Sequence, residues 1–273
     1  MPYFPRMKLG VIGCGKMGTA LVQGAIASGL VKAGEVRGTD VIAAARDNFT
    51  ALTGAATTSE IGEILEESEV ILLCTKPQDI SSALADFSSG TGSGKLLISI
   101  AAGVTIADLE QRTPEAMRVI RTMPNTPALV GKGAAAYCLG SRCVDRDEAT
   151  VSSLLESVGL AVCVPEKLMD AVTGLSGSGP AYVYLIIEAM ADGGVMAGLS
   201  RADAIKLAAQ TVSGAAEMVL RTGDHPAKLK DMVTSPGGTT IAGLAVLEAK
   251  NVRSALIGAV AAASARSAEL GKG

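Results

Sequence analysis

Apolar and polar positions alternate in two ways along the chain, and the first extends from Lys8 to about Val164. There, short continuous apolar runs predict strands buried on both faces, and the amphipathic segments between them predict helices, for example Met17–Ser28, Ile61–Glu67 and Ile106–Gln111. This alternation favours an α/β fold, an open doubly wound parallel sheet with helices on both faces. The predicted strands are Lys8–Gly13, Val36–Asp40, Val70–Thr75, Leu96–Ile100, Arg118–Thr122, Ala134–Leu139 and Ala161–Val164, of which the last two extend the edge of the sheet.

The second pattern follows Glu166, where strand-like runs stop and only helical periodicity remains. These helices carry more apolar positions than one chain's core requires, and they are rich in Ala and Gly. We therefore predict an N-terminal domain over residues 1–164 and an all-α dimerisation domain over residues 165–273; a monomeric Ala-rich bundle is the alternative. The predicted helices are Pro180–Gly198, Ser200–Thr222, Ala227–Val233 and Thr239–Leu270, the last as one helix or as two that break near Asn251.

Composition excludes several classes of function. The 273 residues carry a net charge of −3 and no basic block, which argues against nucleic acid or an anionic membrane surface as partner. No apolar segment predicts a membrane span or a signal peptide, and five cysteines without a CxxC spacing predict reduced thiols in a cytoplasmic protein. His225 is the only histidine, so histidine-ligated zinc sites and Ser-His-Asp triads are hard to build, and no metal site is expected.

The stretch VIGCGKMG matches the dinucleotide fingerprint GxGxxG between the first strand and the first helix. In this pattern Gly13 makes the tight turn, Gly15 lets the backbone approach a pyrophosphate, and Gly18 allows close packing of helix on strand. The predicted cofactor-binding residues of this loop are Ile12, Gly13, Cys14, Gly15, Lys16, Met17 and Gly18.

Asp40 ends the second predicted strand, where an acidic side chain binds the adenine ribose 2′-hydroxyl and repels a 2′-phosphate. The alternative is an aspartate that only caps a turn. Arg37 and Arg46 flank it and could pair with a 2′-phosphate. The cofactor is therefore NADPH or NADH, and Asp40 favours NADH.

Two further strand ends point into the same crevice, because ligands bind at the carboxyl ends of strands in such sheets. Thr75, Lys76 and Pro77 lie at the end of one predicted strand, and Ala102 with Gly103 lies at the end of the next. We predict that the first three and Ala102 line the cofactor. For Lys76, a solvated surface lysine is the alternative.

The stretch SPGGTTIAGLAVLE, from Ser235 on, predicts a second helix start, in which a serine, a proline, two glycines and two threonines lead directly into an apolar, alanine-rich segment. Backbone N–H groups at such a start lack intrahelical partners and favour an anion. The chain thus offers two anion sites, one in each predicted domain.

Taken together, these segments resemble the Δ1-pyrroline-5-carboxylate reductase family. The resemblance extends from GVIGCGKMG through TKPQ, SIAAGV and RTMPNTP to LSGSGPAYVYLIIEAMADGGVMAGL and HPAKLKDMVTSPGGTTIAGLAVLE. Within it, the two prolines of RTMPNTP predict a rigid turn that could contain a cis peptide bond. It implies an oxidoreductase with a Rossmann domain and a helical domain that interlocks with a second subunit, in dimers that often form a decamer. The implied reaction is reduction of Δ1-pyrroline-5-carboxylate to L-proline by NAD(P)H, the last step of proline biosynthesis.

The resemblance also implies the substrate site, which lies between one subunit's cofactor domain and helices of its partner. The substrate carboxylate would meet the N–H groups of Gly238, Thr239 and Thr240 and the hydroxyl of Ser235. Thr240 would hydrogen-bond the imine nitrogen and act as the catalytic residue, since an imine is basic enough to need no strong acid. Glu166 matches a position that lies close to the substrate pocket in the family. The alternative is that Glu166 is only a solvated carboxylate at the start of a helix.

The chain departs from the family at Lys16, where Asn or Gln is frequent, and at Thr75, where Val is usual. Asp40 is also unusual for members that favour NADPH. Two rival functions remain. One is a β-hydroxyacid dehydrogenase-like enzyme; enzymes of that kind resemble one another in using a lysine on the long helix as the base for alcohol oxidation, and Pro180–Gly198 contains no lysine. A non-catalytic NAD(H) sensor has no reason to retain PGGTT.

His225, which precedes Pro226, is predicted to start a helix.

Overall fold

The computed structural model describes residues 7–87 and 94–271, which form two compact units. The first contains the described residues up to Ser178 and those from Ala262 on, and the second is Gly179–Ala261. The units therefore divide after Ser178, whereas the predicted domain boundary after residue 164 stays a prediction. The segment between these two points belongs to the first unit because Met169 is buried against the sheet beside Ala136 and Cys138.

In the described residues, eight strands form one sheet in the order β3-β2-β1-β4-β5-β6-β7-β8. All neighbours are parallel except β6 and β7, so the predicted α/β fold is confirmed and its last two strands do extend the edge. The connection from β6 to β7 is too short for a crossover helix, which is why this pair is antiparallel. The strands are β1 Leu9–Ile12, β2 Val36–Thr39, β3 Ala56–Thr58, β4 Val70–Leu73, β5 Leu96–Ser99, β6 Arg118–Met123, β7 Gly133–Leu139 and β8 Gly159–Cys163.

Helices cover both faces of this sheet. Successive strand residues point to opposite faces, so Val11 belongs to one core cluster with Leu21 and Phe49, and Ile12 belongs to the other with Ile64 and Leu109. The continuous apolar strands are explained by this burial on both sides. The helices are α1 Lys16–Ala27, α2 Ala43–Thr53, α3 Ile61–Glu67, α4 Ile80–Ala83, α5 Ile106–Gln111, α6 Asp145–Glu156 and α7 Met169–Val172.

The second unit is helical, as predicted. Its helices α8 and α9 pack through small buried residues, Ala191, Ala204 and Ala208, which let the backbones approach closely. Asn251 has φ +55°, a left-handed conformation that breaks the last predicted helix into two. The helices are α8 Gly179–Met196, α9 Arg201–Thr222, α10 Pro226–Met232, α11 Thr239–Ala249 and α12 Val252–Leu270, the end of which belongs to the first unit.

Large apolar side chains remain exposed on this single helical unit, among them Met196, Leu220 and Met232. An apolar surface of this kind is typical of a protein–protein interface. No helix in the described part of the chain has the length and apolar character required to cross a bilayer.

Two predicted turns have definite outcomes. His225 starts α10, since its Nδ1 accepts the N–H of Ala227 at 3.2 Å. The RTMPNTP segment contains no cis peptide bond, because all peptide bonds of the described residues are trans. Its rigidity comes from Asn125, which accepts the N–H of Ala134 at 2.8 Å and donates to the carbonyl of Ser176 at 3.0 Å.

Candidate active site

The glycine-rich loop lies between β1 and α1, where β1 is flanked by β2 and β4 and the order of the strands along the sheet reverses. Gly13 has φ +101°, which a side chain would strain, and a Cβ there would lie 2.8 Å from the carbonyl of Cys74. A Cβ on Gly18 would lie 2.5 Å from the carbonyl oxygen of Gly13, so helix and loop are in close contact. A Cβ on Gly15 would meet nothing within 4 Å, which leaves the approach to the loop open.

Helix α1 begins without any capping side chain. Gly15 is its N-cap in an extended conformation, and no acidic residue lies in its first turn. The first backbone hydrogen bond of the helix joins the N–H of Thr19 to the carbonyl of Gly15 at 3.0 Å. The N–H groups of Lys16, Met17 and Gly18 therefore have no backbone partner among the described residues and can bind an anion.

Asp40 is tied to this loop through its carboxylate. Its Oδ2 accepts the N–H of Cys14 at 2.9 Å and its Oδ1 accepts the N–H of Ile42 at 2.9 Å. The N–H of Cys14 is thus not available to a phosphate, and burial raises the pKa of the Cys14 thiol to about 12. Cys14 shapes the loop, whereas Asp40 holds a fixed carboxylate at the predicted ribose position.

The two arginines near Asp40 differ in their partners. Arg37 forms ion pairs with Glu63 at 2.7 Å and Glu67 at 3.1 Å, so its charge is already balanced. Among the described residues Arg46 donates only to the carbonyl oxygen of Asp40, and it is the arginine that a 2′-phosphate could recruit.

Thr75 supplies a second test of whether a dinucleotide fits. Its Oγ1 is buried and has no hydrogen-bond partner in the described part of the structure. The residue follows β4 beside Gly13, where a ligand oxygen could supply the missing partner. Lys76 and Ala102 are exposed at the same edge of the sheet, and Pro77 starts a single helical turn. The open approach at Gly15 and this unsatisfied hydroxyl both fit a bound dinucleotide.

The start of α11 corrects one detail of the predicted carboxylate site. The N–H of Gly238 donates to the carbonyl of Ser235 at 3.1 Å, so it is not free for a substrate. Pro236 and Gly237, the latter with φ +67°, occupy the central positions of this turn as in a type II turn. The sequence did not distinguish a free N–H from one that closes the turn.

The donors that remain are those of Thr239, Thr240 and Ile241. Gly238 is an extended N-cap, no side chain caps the helix, and its first backbone bond runs from Ala242 to Gly238. By contrast, α5 and α9 are capped by side-chain oxygens. Helices α1 and α11 therefore share a glycine N-cap and open N–H groups.

Glu166 lies in the first unit, in a hydrogen-bonded cluster. Its Oε1 accepts the N–H of Ile106 at 2.7 Å and a guanidinium N–H of Arg121 at 3.2 Å. Sequence reasoning missed Arg121, although a charged residue within the apolar strand RVIRTM is the signal that could have found it. The prediction that Glu166 contacts the substrate stays a prediction.

The structure brings the cofactor-site candidates together at one edge of the sheet in the first unit. Ser235, Gly238, Thr239 and Thr240 lie together at the start of α11 in the second unit. The described residues contain no cluster of three or more His, Cys, Asp or Glu side chains that could hold a metal ion.

Comparison with known proteins assigns both parts of the chain. Residues 166–270 match the family model for pyrroline-5-carboxylate reductase dimerisation, and residues 8–103 match that for NADP oxidoreductase, coenzyme F420-dependent. The chain is 48% identical to a pyrroline-5-carboxylate reductase of Methanosarcina acetivorans over 97% of this chain and 98% of that protein. It is 42% identical to that of Escherichia coli, with the same two coverages.

Solved structures agree with this assignment. The crystal structure of Plasmodium falciparum pyrroline carboxylate reductase with NADP bound matches with a TM-score of 0.86 and 35% identity over 97% of this chain and 98% of that one. A pyrroline-5-carboxylate reductase from Coxiella burnetii matches with a TM-score of 0.90 and 34% identity over 97% and 99% of the two chains. The sequence, the Rossmann-type sheet and the helical unit agree, and the chain belongs to the pyrroline-5-carboxylate reductase family.

Proposed function

We propose that this protein reduces Δ1-pyrroline-5-carboxylate to L-proline with hydride from NAD(P)H, the last step of proline biosynthesis. The observation that carries the proposal is the start of α11, where a glycine N-cap and no capping side chain leave N–H groups for a carboxylate. Within the described residues, the same arrangement occurs at the start of α1, in the dinucleotide fingerprint. Membership of the reductase family, at 42–48% identity over nearly the whole chain, supports the same reaction.

The substrate carboxylate binds the N–H groups of Thr239 and Thr240 and the hydroxyl of Ser235. Charge-assisted hydrogen bonds and the helix dipole together contribute about 1–3 kcal/mol to holding the acid. Gly238 serves this site through the shape of its turn, because its own N–H is bonded to the carbonyl of Ser235.

Thr240 is the residue that acts on the imine. Its side chain is half-buried at the second position of α11. From there its hydroxyl hydrogen-bonds the imine nitrogen. It either donates the proton that this nitrogen needs or orients an imine that is already protonated. Such a contribution amounts to about 10²–10⁴-fold in rate. When bound, the dihydronicotinamide supplies the hydride that adds to the imine carbon.

The cofactor binds at the start of α1, with its pyrophosphate on the open N–H groups of Lys16, Met17 and Gly18. Thr75 offers its buried hydroxyl, and Lys76, Pro77 and Ala102 line the crevice. Asp40 accepts the ribose 2′-hydroxyl, so NADH binds better than NADPH. Arg46 is the residue that would allow NADPH to be used as well.

The family model for dimerisation over residues 166–270 supports a homo-oligomer. We propose a homodimer that further assembles into a decamer in the cytoplasm. The apolar side chains exposed on the helical unit are the surface available for this assembly.

The direct test is oxidation of NADH and NADPH by the purified protein, with and without Δ1-pyrroline-5-carboxylate, followed at 340 nm in the same buffer. We expect turnover that depends on the imine, with the higher kcat/KM for NADH. Absence of turnover with both cofactors, in protein that is folded and oligomeric, would reject the function. Turnover with a clear preference for NADPH would reject only the role of Asp40.

A further inference from the structure

A buried arginine and a half-buried glutamate link three elements of the first unit. The side chain of Arg121, in β6, is 7% exposed, and that of Glu166 is 35% exposed. Oε1 of Glu166 accepts both from Arg121 and from the first N–H of α5, that of Ile106. We call these three residues the Arg121–Glu166–Ile106 cluster.

This cluster fixes one end of the loop from Ile100 to Thr105, which connects β5 to α5. The other end is held by Ser99, whose Oγ accepts the N–H of Ala101 at 3.3 Å and whose carbonyl accepts the hydroxyl of Thr122 at 3.1 Å. Between the two ends, Gly103 is so close to Gly271 that a Cβ on the latter would lie 2.9 Å from its carbonyl oxygen. The loop is therefore anchored on both sides.

The order of strands indicates what this loop faces. A dinucleotide lies across the crevice where the strand order reverses, with one mononucleotide on each side. Asp40 at the end of β2 marks the adenosine side, so the ends of β4 and β5 belong to the nicotinamide side. The loop from Ile100 to Thr105 is the one that follows β5.

We propose that Glu166, held by Arg121, is a positioning residue that sets this loop against the nicotinamide half of the dinucleotide. This proposal rests on the proposed function and deepens it, since it assigns Glu166 to the cofactor half of the reaction and not to a contact with the imine. The geometry supports it because the same carboxylate oxygen holds both the strand and the start of α5. Loss of that carboxylate lets the loop move, and the ring and the imine carbon lose their alignment.

The chain offers a matched control near the amino-terminal ends of the strands, away from the crevice. Asp147 uses one oxygen to accept from Arg118 at 2.8 Å and from the N–H of Val144 at 2.9 Å, and its side chain is 3% exposed. Arg118 is the first residue of β6, away from the crevice, whereas Arg121 lies near its last. Asp147→Asn therefore disrupts a similar pair without touching the loop after β5.

The test measures binding of two probes by calorimetry to the oligomeric protein, NAD⁺ and ADP-ribose, which lacks the nicotinamide ring. We expect Glu166→Gln to weaken NAD⁺ about tenfold and ADP-ribose less than twofold, with a lower kcat and an unchanged KM for the imine. Asp147→Asn should change neither affinity by more than twofold. Equal weakening of both probes by Glu166→Gln, or a raised KM for the imine with intact NAD⁺ binding, would overturn the proposal.

Glu166→Gln leaves the buried guanidinium of Arg121 without its charged partner, which endangers folding. The double variant Arg121→Met with Glu166→Leu removes both charges and the acceptor of the Ile106 N–H, and it keeps the test decisive. It should show the same selective loss of NAD⁺ affinity, and wild-type affinity for NAD⁺ in this folded variant would overturn the proposal. Since wild-type turnover is measured separately, failure here leaves the proposed reaction standing.

Discussion

The carboxylate of Asp40 accepts the backbone N–H of Cys14 at 2.9 Å, which ties the end of β2 to the glycine-rich loop. One side chain thus both supports the loop that receives the pyrophosphate and carries the negative charge at the predicted ribose position. Its two roles can be separated by mutation.

Asp40→Ser should move cofactor preference toward NADPH by about tenfold in kcat/KM, because it removes the repulsion between a carboxylate and a 2′-phosphate. It should also weaken NADH binding, since the ribose 2′-hydroxyl loses its charged acceptor at a cost of about 1–3 kcal/mol. Steady-state kinetics with both cofactors measure the two effects. Asp47→Ser, at an exposed position of α2, is the control and should alter neither. An unchanged preference in Asp40→Ser would reduce Asp40 to a turn residue.

Gly15→Ala and Gly18→Ala should separate cofactor binding from folding. A methyl group on Gly15 meets no protein atom, so stability should fall by less than about 1 kcal/mol, yet the methyl obstructs the approach to the loop and NADH affinity should fall at least tenfold. A methyl on Gly18 collides with the carbonyl of Gly13 and should cost about 1–3 kcal/mol of unfolding free energy. Denaturant titrations measure the unfolding free energy of both variants, and calorimetry measures their affinity for NADH. A Gly15→Ala protein with wild-type NADH affinity would show that no phosphate lies over this residue.

Thr240→Ala should lower kcat by about 10²–10⁴-fold with little change in melting temperature, since the hydroxyl is needed for the imine and not for the helix. Thr240→Ser retains the hydroxyl and should recover most of the rate. The control is Thr211→Ala, which removes an exposed hydroxyl bonded to its own helix in α9. Wild-type turnover in Thr240→Ala would remove this residue from the mechanism.

Stability should fall in alkaline solution because of a buried thiol. Burial, followed by the charge of Asp40, raises the pKa of Cys14 from 9.0 to about 12. The unfolded thiol ionises first, so the stability that Cys14 contributes is complete below about pH 9 and is lost as the pH rises toward 12, by up to about 1.4 kcal/mol per pH unit. Denaturant unfolding of wild type and Cys14→Ala between about pH 8 and 10 should show a shallower decline in the variant. Parallel curves would contradict this.

Local pattern was sufficient for much of the fold. Continuous apolar runs predicted seven of the strands because a doubly covered sheet buries both faces, but they missed Ala56–Thr58, which is short, polar and at the edge. Asn251 was predictable as a break because it tolerates a left-handed backbone.

The site was less predictable where distant residues decide it. The pairing of Arg121 with Glu166 joins positions 45 residues apart, and no local pattern encodes it. The engaged N–H of Gly238 depends on the conformation of a turn, which the letters SPGG allow but do not require.

The most direct test of the carboxylate site at the start of α11 is a crystal structure of the oligomer with proline and oxidised dinucleotide bound. We expect both oxygens of the proline carboxylate within about 3 Å of the N–H groups of Thr239 and Thr240, and the hydroxyl of Thr240 beside the ring nitrogen. A carboxylate bound instead by an arginine or lysine, with the start of α11 facing only solvent, would contradict it.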